Sequence, residues 1–303
     1  MSKVFVQRHR VGLNSSGAST RFGVIGVLLS LVLCGCTATH TSIEGSPVTV
    51  DVESLHSETT TLNSNELTLI AHRGAWRVFP EGSTESFDAV AQTKFPIEFD
   101  LRRLSDGTLV PSHDATADRS MEGLAGPLEA ISSEQWHKAS IRSQNGKSFG
   151  TPTTWDAILE RYGGKSVLIP ELKRPVTDLA GFVKTIVDRG LQDSIIVQSR
   201  DYETCKELAA AGIQSALVLL EGRPAPTAIK ADGIQYVAVS RDYPPEYFKE
   251  LKASGLAVWV FTLNKATSLE EFLDLGVEAV FTDDPWKLEQ ELAEIGRPVA
   301  GGQ

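Results

Sequence analysis

Between residues 67 and 295, short apolar runs alternate with amphipathic stretches, and this alternation restricts the chain to few architectures. The strand candidates are 67–71, 97–101, 108–112, 166–172, 195–198, 215–219, 236–239, 257–261 and 279–282. They are rich in Val, Ile and Leu and alternate only partly, the pattern of strands covered on both faces. Helix candidates at 155–161, 179–188, 202–210, 246–252, 269–275 and 286–294 are each followed closely by a glycine. A glycine just past a helix end fits a left-handed cap, and Thr153 or Thr154 can cap the first of these helices at its start. Such β-α alternation predicts an α/β fold with a parallel sheet, and the repeat count suits a (β/α)8 TIM barrel. A doubly wound open sheet is the alternative, but no Gly-rich loop of the dinucleotide or P-loop kind supports it.

One strand is surplus to a simple barrel. Segments 97–101 and 108–112 are joined by a short link centred on Ser105-Asp106-Gly107. Asp-Gly between apolar runs signals a hairpin, and so few residues cannot make a parallel crossover. Segment 108–112 is therefore expected to run back against its neighbour or to detour outside the barrel.

The chain ahead of this region reads differently. Residues 1–35 contain Lys3, Arg8, Arg10 and Arg21 and no acidic residue, and residues 22–33 are an apolar run. That run is short for a bilayer span of ~20 residues but suits the core of a signal peptide. It leads into Leu33-Cys34-Gly35-Cys36, which resembles a bacterial lipobox, with Leu three places before Cys36 and small Gly35 just before it. The expectation is a signal peptide over 1–35 and lipidation at Cys36. The protein would be exported and lipid-anchored to the bacterial cell envelope, with no other membrane contact. A plain secretory signal or an uncleaved anchor is the alternative. In residues 37–66, 12 of 30 are Ser or Thr, so 36–66 reads as a tether, 67–296 as the folded domain and 297–303 as a tail. The net charge of −10 argues against a nucleic-acid partner, because phosphate contacts need a basic face.

The chemistry sits at strand ends. The first strand candidate ends in Ala71-His72-Arg73-Gly74, the second carries Glu98-Phe99-Asp100, the returning segment delivers His113-Asp114, and the fourth carries Glu171-Leu172-Lys173. Strand side chains alternate, so Glu98 and Asp100 point to one side, as do Glu171 and Lys173. On barrel strands these pairs would face inward near the C-terminal rim, where barrel active sites lie. Each piece alone is more often an ion pair or a turn. Three carboxylates, two histidines, an arginine and a lysine on adjacent strands are costly to desolvate unless paired or metal-bound.

In this combination the sequence resembles the glycerophosphodiester phosphodiesterases, a family of PLC-like TIM-barrel phosphodiesterases, over about residues 70–285. AHRG at 71–74 and PEGSTESF at 80–87 look like the family's opening. IEFDLRRLSDGTLVPSHDATADRSMEG at 97–123 resembles its E-x-D, DG-turn and His-Asp string, and LIPELKRP at 168–175 its E-x-K strand. VWVFTLN at 258–264 and GVEAVFTDDP at 276–285 resemble its closing segments. Two departures are Gly82, where the family usually has Asn, and Lys94-Phe95-Pro96 in place of the usual lead into the second strand.

The resemblance implies a reaction and a set of roles. Glu98, Asp100 and Glu171 match the ligands of one divalent cation, and all-oxygen ligation suits Ca2+ or Mg2+. His72 and His113 match the acid/base pair, and imidazole titrates near working pH. Arg73 and Lys173 match substrate phosphate contacts. Glu81 matches a glutamate near the first histidine, as an orienter or a metal-side ligand. The implied reaction is cleavage of a small-molecule glycerophosphodiester to sn-glycerol 3-phosphate and an alcohol, with water or the glycerol 2-hydroxyl as nucleophile. A related barrel phospholipase or sphingomyelinase-D-like lyase is the runner-up, and a non-catalytic surface lipoprotein that only binds is a third reading.

Five other residues carry two readings each or a bland one. Trp259 can stack on substrate or pack in the core with Phe261, and Asn264 can reach the site or serve a turn. Asp283 can cap the following helix or face the site. Cys205 shares a helix face with Leu208 and Ala209 and is expected to be buried packing. His137, beside Trp136, is expected in a loop insertion.

Overall fold

The computed structural model describes residues 66–174, 178–297 and 299. The signal-peptide segment, Cys36, the tether up to residue 65 and most of the tail lie outside the described residues. In chain order the first elements are β1 (Thr68–Ala71), α1 (Thr84–Val90), β2 (Ile97–Arg103), β3 (Leu109–Pro111) and β4 (Met121–Glu122). There follow α2 (Ser133–Lys138), β5 (Ser140–Arg142), β6 (Phe149–Gly150), α3 (Trp155–Tyr162), β7 (Leu168–Leu172), α4 (Leu179–Asp188) and β8 (Ile196–Ser199). The chain continues with α5 (Tyr202–Ala210), β9 (Gln214–Leu219), α6 (Pro226–Ala231), β10 (Tyr236–Ser240) and α7 (Pro245–Ala253). Last come β11 (Ala257–Phe261), α8 (Ala266–Leu273), β12 (Ala279–Thr282) and α9 (Pro285–Glu294).

Strands β1, β2 and β7 to β12 are parallel neighbours in the order β1-β12-β11-β10-β9-β8-β7-β2, and a β1–β2 pairing closes the ring. This is the (β/α)8 barrel. β1 meets β12 from Thr68↔Ala279 to Ala71↔Thr282, and Ala71 meets Ile97 on its other side. The surplus strand is β3. β2 overshoots its barrel neighbours, and β3 runs antiparallel on the overhang, from Leu101↔Pro111 to Arg103↔Leu109.

The polypeptide after β3 builds a small subdomain. β4, β5 and β6 form their own antiparallel sheet, and Leu104, Val110, Met121, Trp136 and Ile141 are among the residues of a separate apolar core. His137 lies on α2 rather than in a loop, because Ser132 and Gln135 form a capping box that starts a helix there. Neighbouring Trp136 is fully buried, with Nε1 donating to the Thr153 carbonyl at 3.0 Å. Of the two threonines ahead of α3, Thr154 is the cap.

Alternation divides the barrel strands between two cores. Ile97, Phe99, Leu101, Leu168 and Leu172 point outward under the helices. Ile70, Ile169, Ile196, Ala216, Trp259 and Phe281 point inward and fill the barrel with apolar side chains. Trp259 is thus core, packed on Tyr236 and Phe281. Two residues further along the same inward rows stand His72, Glu171, Gln198, Phe261 and Asp283. The strands therefore carry stability in their lower storey and polar groups at the C-terminal rim.

Candidate active site

The turn after β1 sets the geometry. Arg73, Gly74 and Ala75 all have left-handed φ, at 51°, 72° and 65°. This conformation aims the Arg73 N–H at Glu98 Oε2, 2.8 Å away. Gly74 is required twice over, since a Cβ there would sit 2.2 Å from Ser86 Oγ as well as at positive φ. Gly82 has φ +64°, a value that Gly and Asn tolerate best. Gly82 thus meets the same backbone demand as the Asn that the resemblance leads one to expect there.

Glu98, Asp100 and Glu171 are all buried, and one carboxylate oxygen from each lies within 4.8 Å of the others. β2 and β7 bring them together, with Asp100 level with Glu171. Lys173 Nζ is 2.6 Å from Asp100 Oδ1 and 2.6 Å from Glu171 Oε1. Arg73 Nε faces Asp100 Oδ2 at 3.7 Å. Burial, with the Asp100 charge beside it, pushes the Glu98 carboxyl up to about 7. Burial also acts against ionised Asp100, yet the Lys173 and Arg73 charges hold it below the ordinary carboxylate range.

A divalent cation fits these residues. The donors are hard carboxylate oxygens, one from each of three buried side chains on two adjacent strands, and they converge within 4.8 Å. Gln198, on β8, donates to Glu98 Oε1 at 3.1 Å and fixes that carboxylate from the side.

His72 lines the same cavity of about 140 Å³ as Arg73, the three carboxylates, His113 and Lys173. Its Nδ1 lies 2.6 Å from Asp283 Oδ1. Trp76 Nε1 donates to that oxygen at 2.6 Å, and Asn264 Nδ2 donates to Asp283 Oδ2 at 2.7 Å. Asp283 therefore orients His72, and the helix cap is its neighbour Asp284, which accepts from Lys287 N. Asn264 in turn orients Asp283, accepting from its N–H and from Thr282 Oγ1. Burial would lower the His72 pKa, but the Asp283 hydrogen bond and the Glu98 charge outweigh it and leave the imidazole above its ordinary value.

His113 follows β3, lines the same cavity and is more exposed than His72, with Nδ1 2.8 Å from Asp114 Oδ1. Burial, aided by the Arg73 and Lys173 charges, holds it below the ordinary histidine value. Asp114 also accepts from Arg119 Nε at 2.5 Å. Arg119 continues to Glu81, with Nη2 2.5 Å from Oε1, and Arg73 Nη1 reaches Glu81 Oε2 at 3.4 Å. Glu81 is thus an orienter of two arginines. It stands outside the three-carboxylate cluster and makes no hydrogen bond to His72 among the described residues. Cys205, on α5, is buried, and desolvation pushes its thiol up to about 12.

Sequence reasoning gives no role to Gln198 or Trp76, and it places Arg119 only within the motif at 97–123. Gln198 had a readable signal, being the inward neighbour of Ile196 on an apolar strand. The other two lie in loops, where no periodicity points to their partners.

The chain is similar to known proteins over most of its described residues. The family described as glycerophosphoryl diester phosphodiesterase matches residues 72–287. A glycerophosphodiester phosphodiesterase of Caldanaerobacter subterraneus is 24% identical over 230 residues, covering 72% of this chain and 94% of the relative. One of Bacillus subtilis is 25% identical over 251 residues, covering 74% and 86%. Among solved structures, an Oleispira antarctica phosphodiesterase in complex with the product sn-glycerol-3-phosphate is 22% identical, with TM-score 0.65 over 76% of this chain and 98% of that one. A glycerophosphodiester phosphodiesterase of Agrobacterium tumefaciens is 22% identical, with TM-score 0.61 over 73% and 98%. With the family match running from His72, at the end of the first strand, to Lys287 in the last helix, the chain belongs to the glycerophosphoryl diester phosphodiesterase family.

Proposed function

We infer that this protein hydrolyses glycerophosphodiesters to sn-glycerol 3-phosphate and an alcohol. The observation that carries the reading is the pair of histidines flanking a buried three-carboxylate cluster in a chain of this family. Glu98, Asp100 and Glu171 would hold one divalent cation, Ca2+ or Mg2+, which when bound supplies positive charge to the substrate phosphate. Arg73 and Lys173 add fixed positive charge for the nonbridging oxygens. His72 and His113 carry the proton transfers. One accepts the proton of the nucleophile, and the other delivers a proton to the departing alkoxide. Asp283 holds the tautomer and orientation of His72, and Asp114 does the same for His113. Glu81 keeps Arg73 in place.

The basic start, apolar run and Leu33–Cys36 segment support export and lipid attachment at Cys36. Incorporation of labelled palmitate, lost in Cys36→Ser, is the expected outcome, and undiminished labelling of that variant refutes it.

The central experiment follows release of glycerol 3-phosphate from glycerophosphocholine and glycerophosphoethanolamine with Ca2+, with Mg2+ and with chelator. Metal-dependent release that disappears in His72→Ala and in His113→Ala is expected. Release that survives both substitutions overturns the assignment of the pair. Single-turnover analysis for a transient cyclic phosphate then separates attack by the glycerol 2-hydroxyl from attack by water.

A further inference from the structure

We propose that a basic groove beside the site selects glycerophosphodiesters whose leaving alcohol carries a further phosphate group. This rests on the phosphodiesterase reading above and adds the class of headgroup.

The groove has a volume of about 450 Å³, and its lining includes Arg102, Lys173, Arg174 and Arg200. It shares His113, Glu171, Lys173, Arg200 and Val218 with the smaller cavity, so the two are continuous. The smaller one, about 140 Å³ and bounded by Phe261 and Phe281, suits the compact glycerol phosphate half of a substrate. The groove then receives the alcohol half. Of the four cations lining it, Lys173 is held by Asp100 and Glu171, Arg174 by Asp201 and Arg200 by Glu171, which leaves Arg102 as the one with no ion pair among the described residues. An unpaired guanidinium at the groove wall, beside two half-satisfied ones, attracts an anion in a chain whose net charge is −10.

The arginines retain free donors. Arg102 spends its Nε on the His113 carbonyl at 3.0 Å and has no ion-pair partner among the described residues. Arg174 pairs with Asp201 through one nitrogen at 2.9 Å, and its side chain is 66% exposed. Arg200 stands 3.6 Å from Glu171, and half of its side chain is exposed. Guanidinium forks match phosphate oxygens two at a time. A trimethylammonium headgroup would meet like charge here, and no Phe, Tyr or Trp lines the groove to cage it.

The test compares kcat/KM for glycerophosphoinositol 4-phosphate, glycerophosphoinositol and glycerophosphocholine with the same metal. The first two differ only by the additional phosphate. The phosphorylated substrate is expected to lead both others by about tenfold or more at low ionic strength, and its lead shrinks as salt screens the groove. In the double variant Arg102→Gln with Arg174→Gln, the ratio between the first two substrates should fall to near one. Using the ratio cancels any general loss from disturbing His113. Cleavage of all three with no preference, or a preference that survives the double substitution, overturns the headgroup inference and leaves the phosphodiesterase reading standing. Absence of cleavage of every substrate by folded protein, with either metal, overturns both.

Discussion

Replacing Glu98 with glutamine should stabilise the metal-free protein at neutral pH and above. The Glu98 carboxyl is buried beside Asp100 and titrates near about 7 instead of 4.5. Between those values the folded chain holds a proton that the unfolded chain has lost. Stability therefore falls as pH rises through that window, and the full penalty is present above it. At the free energy of one pH unit per proton, the penalty is roughly 3 kcal/mol. Glutamine removes the charge and can keep both contacts. Its oxygen can accept from Arg73 N, and its amide can donate to Gln198 once that amide turns over. Imperfect refitting leaves an expected gain of roughly 1–3 kcal/mol, about 2–10 °C in Tm for a domain of this size. The assay is thermal unfolding in chelator from pH 4.5 to 8.5. The two proteins should nearly coincide at the acid end and diverge as pH rises. Saturating Ca2+ or Mg2+ should then raise the Tm of the parent more than that of the variant. A variant less stable than the parent at pH 8, or a gap that does not change with pH, refutes the reasoning.

Asp283→Asn should lower kcat by roughly a hundredfold or more with little change in KM, because it leaves the packing and offers His72 the wrong partner; steady-state kinetics decide. Gly74→Ala should cost about 2–4 kcal/mol in urea unfolding, since the added methyl meets Ser86 at a left-handed backbone position. Cys205 should resist iodoacetamide in the folded protein at pH 8 and react fully in urea, as read by mass spectrometry, because burial pushes its thiol up to about 12.

The barrel was legible because its strands are continuous apolar runs and its helices stop at glycines. α1 escaped notice because it is only seven residues long, held by a Ser83 cap and by buried Phe87 and Val90 inside the PEGSTESF segment. The subdomain escaped because its core draws on isolated residues such as Met121, Trp136 and Ile141, which show no period. At the site, strand alternation placed Glu98 with Asp100 and Glu171 with Lys173 on common faces. It could not divide labour between Asp283 and Asp284. Both follow a strand and precede a helix, and only the fold shows one turned to His72 and the other to Lys287. Glu81 was readable as an orienter, but its partners arrive from Arg73 and from Arg119 on a loop 38 residues away.

The union of β1 with β12 has a bearing on when the protein acquires its full rim. His72 and Asp283 lie 211 positions apart and meet only because the first and last barrel strands are neighbours. A chain still emerging from the ribosome, or truncated before Ala279, carries both histidines and all three carboxylates. It lacks the carboxylate that steadies His72, and it lacks the strand that shuts the ring. The arrangement works as a completion check written into topology, since the loop after the last barrel strand supplies the partner for a residue at the end of the first.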